Sequence, residues 1–181
     1  LPADAAGRLA ERLGELYAAS YRGTPQEHDP FYSPQRFAER LRGYTAAPGF
    51  LLVAAVDPDG ELVGFAFGYP LPPGARWWHG LLDDVPPEAV AETGSRTLAL
   101  CELHVRADHR GHGLATSLHD RLAESGCERL TVLVRPENPA LNVYEGWGYR
   151  RLGGLKPYPD SPTYVALVMD VQTAAPSGEP T

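Results

Sequence analysis

Between positions 98 and 115 the chain reads Leu-Ala-Leu-Cys-Glu-Leu-His-Val-Arg-Ala-Asp-His-Arg-Gly-His-Gly-Leu-Ala. An apolar strand ends near Val105, a turn containing Gly111 and Gly113 follows, and a helix starts within that turn. Glycines there permit a tight backbone path and let a ligand approach the main chain. Free N–H groups at a helix start favour an anion, and Arg110 adds a full positive charge. The chemistry this spacing suits is capture of a pyrophosphate. Just ahead of the turn stand Glu102 and His104, which strand alternation places on one face, with 101, 103 and 105 on the other. A carboxylate in so apolar a strand is costly unless it faces a wet cleft or a partner. An ion pair to an arginine such as Arg96 and service as a proton acceptor both fit Glu102. His104 suits a base, a substrate contact or a plain wall residue.

Spacing separates this loop from two other phosphate cradles. The P-loop ends in Gly-Lys-Ser/Thr, and no lysine occurs here. The dinucleotide fingerprint GxGxxG would need glycine at 116, where Thr116 stands. What fits is Arg-x-x-Gly-x-Ala, here Arg110 to Ala115, directly after a strand reading Leu-His-Val. Further on come a strand, Leu130–Val134, and the segment Asn138-Pro-Ala-Leu-Asn-Val-Tyr144-Glu-Gly-Trp-Gly-Tyr149. With both segments at this separation, the sequence resembles the GNAT superfamily of acyl-CoA-dependent N-acyltransferases. The helix–helix–hairpin order of residues 4–69 extends the resemblance over 4–171. Two departures are visible: the family's first strand is nearly absent, and the interval from Asn138 to Tyr144 is one residue short.

The resemblance implies an α/β (α+β-type) fold: a mixed, mostly antiparallel twisted sheet flanked by helices. The strands at 96–105 and 128–134 would run parallel through a right-handed crossover and splay apart around the pantetheine arm. Backbone groups of Leu103, His104 and Val105 would bond that arm like an added strand. Arg110, Gly111, His112, Gly113, Leu114 and Ala115 would hold the pyrophosphate, with Asn138 as a further contact. Tyr144 resembles the family's general acid; a phenol, with an ordinary pKa of about 10, can protonate a leaving thiolate. Related enzymes often place the base where Glu102 stands. The activity implied is acetyl transfer from acetyl-CoA to a primary amine of a small acceptor, by direct attack because Cys101 faces away from Glu102. A catalytically silent acyl-CoA-binding sensor and a protein N- or O-acyltransferase keep the same cradle. The partners implied are acetyl-CoA and an amine, with a homodimer compatible. His109 and His112 read as phosphate neighbours or bystanders. Cys101 and His104 point to opposite strand faces, so no metal site is expected. Trp77, Trp78, His79, Asp83 and Asp84 either flank the acceptor or cover the core and face solvent.

The elements that must position these groups follow from periodicity. Residues 4–20 read as one amphipathic helix and Pro34–Tyr44 as another, capped by Ser33. Phe50–Val56 and Glu61–Tyr69 form a hairpin around Asp57-Pro-Asp-Gly60. A helix spans 112–126, a strand 128–134, and a short helix starts at Pro139 behind an Asn138 cap and ends at Gly146. Strands at 149–155 and 163–171 follow. The 181 residues suit one domain, 1–172, with a flexible tail over 173–181. Net charge is −7, which disfavours binding to nucleic acid. The longest apolar run, Phe50–Val56, is far short of the roughly 20 residues a membrane span needs. Two cysteines without a CxxC pattern read as reduced thiols of a cytoplasmic protein.

Overall fold

The computed structural model describes residues 1–24, 26–159 and 161–171. In chain order the elements are α1 (Ala3–Arg8), α2 (Ala10–Ser20), α3 (Pro34–Thr45), β1 (Leu51–Val56), β2 (Leu62–Pro70), α4 (Pro87–Val90), β3 (Thr97–Val105), α5 (Leu114–Ala123), β4 (Arg129–Val134), α6 (Ala140–Gly146), β5 (Arg150–Leu155) and β6 (Tyr164–Asp170). The tail expected over 173–181 lies outside the described residues. The described residues divide into two compact units, one drawn from 1–70 with 99–125 and the other from 71–98 with 126–171.

In the first unit, β1 and β2 pair antiparallel around a turn in which Gly60 takes φ +82°. The Asp57 carboxylate accepts the Asp59 and Glu61 N–H groups there. β3 lies antiparallel to β2, with the Arg106 N–H on the Val63 carbonyl and Gly68 so close to Ala99 that a Cβ would stand 2.1 Å from its oxygen. Alternation along β2 sends Phe65 and Phe67 towards Phe37 of α3, while Gly64 faces Leu114 and Leu118 of α5. The apolar core on the first side gathers Leu13, Leu16, Tyr17, Phe37, Leu41, Phe65 and Phe67. α3 begins as its sequence demands, with Ser33 accepting the Arg36 N–H and Pro34 in the first turn.

Two helix expectations need correction. The segment 4–20 is two helices, because Leu9 leaves helical geometry at φ −98°, ψ 0° and its N–H is shared between the Ala5 and Ala6 carbonyls. Gly7, a weak helix former, stands two residues earlier. α5 covers Leu114–Ala123, not 112–126. Gly113 at φ +79° admits no helix before it, and Gly126 at φ +86° lies in the turn beyond its end. Leu1 adds two hydrogen bonds with Leu52, beside β1.

In the second unit, β6 pairs antiparallel with β4 on one side and with β5 on the other. The Arg96 carbonyl accepts the N–H groups of Glu128 and Arg129 where β3 and β4, neighbours in the sheet, begin. Together the strands make the mixed sheet expected from the sequence. Asn138 accepts the Ala140 N–H at 2.9 Å, and Pro139 is already helical at φ −55°, so the cap acts as anticipated although α6 is bounded at Ala140. Among the described residues no helix is long and apolar enough to cross a membrane.

Candidate functional site

The glycine loop has the build its spacing demands. After β3 the chain makes one tight turn at Ala107–His109, then passes Gly111 and Gly113 at φ +80° and +79°. A side chain at either position would meet no protein atom within 4 Å, so both face open space. Gly113 gives α5 no side-chain cap, and the helical bonding starts only with the Ser117 N–H on the Gly113 carbonyl. The first-turn N–H groups of Leu114, Ala115 and Thr116 therefore have no partner inside the helix. His112 is exposed.

Arg110 differs in detail from the sequence reading. Its guanidinium fastens the loop: Nε donates to the Val105 carbonyl at 3.0 Å and Nη2 to the Ser20 carbonyl at 3.3 Å. Its charge stays at the loop, but as a strut as well as an attractor. His109 is paired to Asp108 at 2.8 Å, and Arg106 donates to the same carboxylate oxygen. Those two bonds hold the Asp108 carboxyl down to about 2, His109 contributing most.

On β3, Glu102 and His104 share a face as alternation required and stand 2.9 Å apart, Oε2 to Nε2. The arginine near Glu102 is Arg40 of α3, with Nη2 3.7 Å from Oε1. Arg96 donates instead to the Glu88 and Ala91 carbonyls, which corrects the ion pair anticipated for it. Arg40 also donates to the Phe31 carbonyl and the Tyr17 hydroxyl and lies 4.7 Å from the centre of the Phe31 ring. His104 Nδ1 lies 2.9 Å from Ser20 Oγ, at the end of α2. Ser20 and Arg40 lie 84 and 62 positions away in sequence, and no local pattern marks either.

The walls around this cluster are aromatic. Tyr17, Tyr21 and Phe65 ring His104 at centroid distances of 5.0, 5.7 and 5.3 Å. Burial, then the charge of Glu102, pushes the Tyr17 phenol up. Burial does the same for Tyr21 and Tyr44, and lifts Tyr69 to about 12. These phenols stay protonated at neutral pH. Burial also raises the Cys101 thiol, with Glu102 adding to it, which keeps the sulfur a poor nucleophile.

In the second unit Tyr144 is buried on α6, its ring edge-on to Trp147 and Tyr149 at 5.4 and 5.3 Å. Of the residues read as either flanking an acceptor or covering the core, Trp77, Trp78 and Asp83 make bonds within the protein. Trp78 is buried and donates to Glu92, while Trp77 Nε1 reaches Thr131 Oγ1 at 3.4 Å. Asp83 accepts the Gly154 N–H at 2.5 Å and so secures β5, while it and Asp84 stay exposed. Among the described residues no group of three His, Cys, Asp or Glu side chains could hold a metal ion.

The model of the acetyltransferase (GNAT) family matches residues 10–149. No curated protein matches the chain. Among solved structures, aminoglycoside 6'-acetyltransferase type Ii is 21% identical, with 93% of this chain and 94% of that one covered at a TM-score of 0.61. An aminoglycoside 6'-N-acetyltransferase complexed with coenzyme A is 17% identical, covering 93% of each chain at 0.62. The ribosomal-protein-S18-alanine N-acetyltransferase from Escherichia coli is 15% identical, covering 94% of this chain and 92% of that one at 0.57. At these identities the likeness is one of fold.

Proposed function

We propose that this chain, which belongs to the acetyltransferase (GNAT) family, moves an acetyl group from acetyl-CoA to a primary amine of a small acceptor. The observation that carries this reading is the loop of two left-handed glycines opening an uncapped helix directly after the strand of Glu102 and His104. Backbone N–H groups from Gly111 to Ala115 would hold the pyrophosphate, helped by the positive end of α5. Backbone groups of Leu103 to Val105 would bond the pantetheine arm, and Asn138 would add a further contact. The amine attacks the thioester directly in a ternary complex. Glu102 takes a proton from the acceptor ammonium, Tyr144 gives one to the departing thiolate, and the phenolate is restored by the second proton that the acylated nitrogen sheds. We read 1–172 as one acetyltransferase domain of the cytoplasm; the family match over 10–149 supports its acetyltransferase character.

Thermal melting with and without acetyl-CoA, paired with thiol release across a panel of amines, tests the reading. Acetyl-CoA should raise the Tm by mass action. Gly113→Val places a branched side chain in the open space over the loop and should abolish most of that rise. Tyr144→Phe should keep the rise and lower turnover by roughly 10–1,000-fold, as loss of a general acid does. A full Tm shift in folded Gly113→Val would misplace the cradle. A Tm shift with no thiol release on any amine would move the chain to the silent acyl-CoA-binding class.

A further inference from the structure

The protons around His104 can be counted. Ser20 Oγ carries a single proton. It lies 2.7 Å from the Tyr17 carbonyl oxygen, which can only accept, so that proton is committed. The same Oγ is 2.9 Å from His104 Nδ1. The hydrogen of this second contact must then come from the ring, as Nδ1–H donating to Ser20. A neutral imidazole protonated at Nδ1 has a bare Nε2. Yet Nε2 lies 2.9 Å from Glu102 Oε2, and two lone pairs at that separation would repel. A further proton therefore lies between them, whether on the nitrogen as an imidazolium facing a carboxylate or on the oxygen as a neutral pair.

We propose that Ser20 is a positioning residue that keeps a proton on His104 Nδ1, so that His104 and Glu102 hold one further, transferable proton between Nε2 and Oε2 and work as a pair. The catalytic meaning rests on the acetyltransferase reading above; the position of the protons does not. The pair is closed in by Tyr17 and Ser20 of α2, Tyr21 just beyond it, Phe65 of β2 and Arg40 of α3, with Tyr44 of α3 feeling the Glu102 charge. Arg40 is the full positive charge facing Glu102, on the oxygen that does not meet His104. The proton balance is simple. An unloaded pair takes one proton from the acceptor ammonium, leaving a neutral amine with a free lone pair and giving the loaded pair. The loaded pair then passes that proton to water as hydronium and is ready again. Glu102 thus becomes a base only after the shared proton has left.

Nitrogen-15 spectra of the histidine rings read this directly in the full chain at neutral pH, with His104 identified by the signals lost in His104→Gln. The expected result is a hydrogen on Nδ1 in the parent and in Ser20→Thr, which keeps an accepting oxygen. In Ser20→Ala the hydrogen should move to Nε2, and turnover should fall roughly 10-fold, a minor part of the ~100–10,000-fold that a positioned acid or base supplies. KM for acetyl-CoA should not move, and Ser20→Thr should restore turnover. A parent ring protonated on Nε2 alone would overturn the proposal, as would an unchanged tautomer in Ser20→Ala. If the spectra agree but no amine is acetylated, the proton assignment stands and the acetyltransferase reading is what fails.

Discussion

Glu92 and Glu102 are ten positions apart, and each faces an arginine, but they live in opposite settings. In the second unit the Glu92 side chain is 1% exposed and that of Arg129 4%. Glu92 Oε1 receives both the Arg129 guanidinium and the Trp78 indole N–H at 2.9 Å, and Arg129 Nε donates to Thr97 at 2.6 Å. In the first unit Glu102 is 14% exposed and Arg40 22%, and their closest approach is 3.7 Å, too long for a hydrogen bond. The first pair is deeply buried and directly bonded through Glu92 Oε1, while Glu92 Oε2 is buried without a hydrogen-bond partner. The second is open, and its proton-bearing neighbour is a histidine in place of a second guanidinium. Direct bonding under deep burial makes a strut. Looser pairing at a partly exposed face leaves a carboxylate that also meets a histidine.

The largest expected effect breaks the strut. Arg129→Ala leaves a buried carboxylate without its counter-charge and should cost about 3–5 kcal/mol of stability, read from urea denaturation. The protein that remains folded should keep its acetyl-CoA-dependent Tm shift; loss of that shift would erase the contrast. Glu102→Gln should do the opposite. Turnover should fall about 100-fold, or about 3 kcal/mol in the barrier, while stability changes by less than about 1 kcal/mol. A large drop in stability with activity per folded molecule preserved would make Glu102 a second strut.

Asp83 sharpens the comparison from the side of the second unit. If it only secures the Gly154 N–H, Asp83→Ala should cost about 1 kcal/mol and leave KM for the amine alone. A raised KM would restore it to the acceptor side. The smallest effect concerns Asp108, whose folded pKa of about 2 lies below its ordinary 3.8. A depressed carboxylate pKa gives stability that is complete above the ordinary value and is lost as pH falls through the folded one. Acid denaturation between about pH 4 and 2 should therefore be slightly steeper in the parent than in Asp108→Asn. Exposure of Asp108 to solvent keeps that difference small.

What was legible in the sequence was what is local. The glycine loop, the Asp57–Gly60 turn, the Ser33 cap and the shared face of Glu102 and His104 depend on residues a few positions apart, and the structure keeps all of them. The break at Leu9 escaped because three- and four-residue spacing continues across it, and the backbone departs by one residue only. The late start of α5 was legible in principle, since Gly113 is a weak helix former in a turn already read as tight. Arg40 and Ser20 were not, because the packing of α2 and α3 against the strands, and no motif, brings them to Glu102 and His104. Arg96 misled for a related reason: its nearest acceptors are backbone carbonyls of its own loop, which carry no mark in the side-chain sequence.

The segment from Gly80 to Asp83 runs against β5 with almost no clearance. The Lys156 N–H donates to the Gly80 carbonyl, the Leu82 N–H to the Gly154 carbonyl, and Leu81 bridges Leu155. A Cβ at Gly80 would stand 2.0 Å from the Lys156 oxygen, so even alanine would force the two backbones apart. In amide exchange, Leu82 and Lys156 should then open as one event instead of as independent loop residues. Any change in the length of the long connection between β2 and β3 would have to be absorbed before Gly80 or after Asp83, because between them the chain is seamed to the strand.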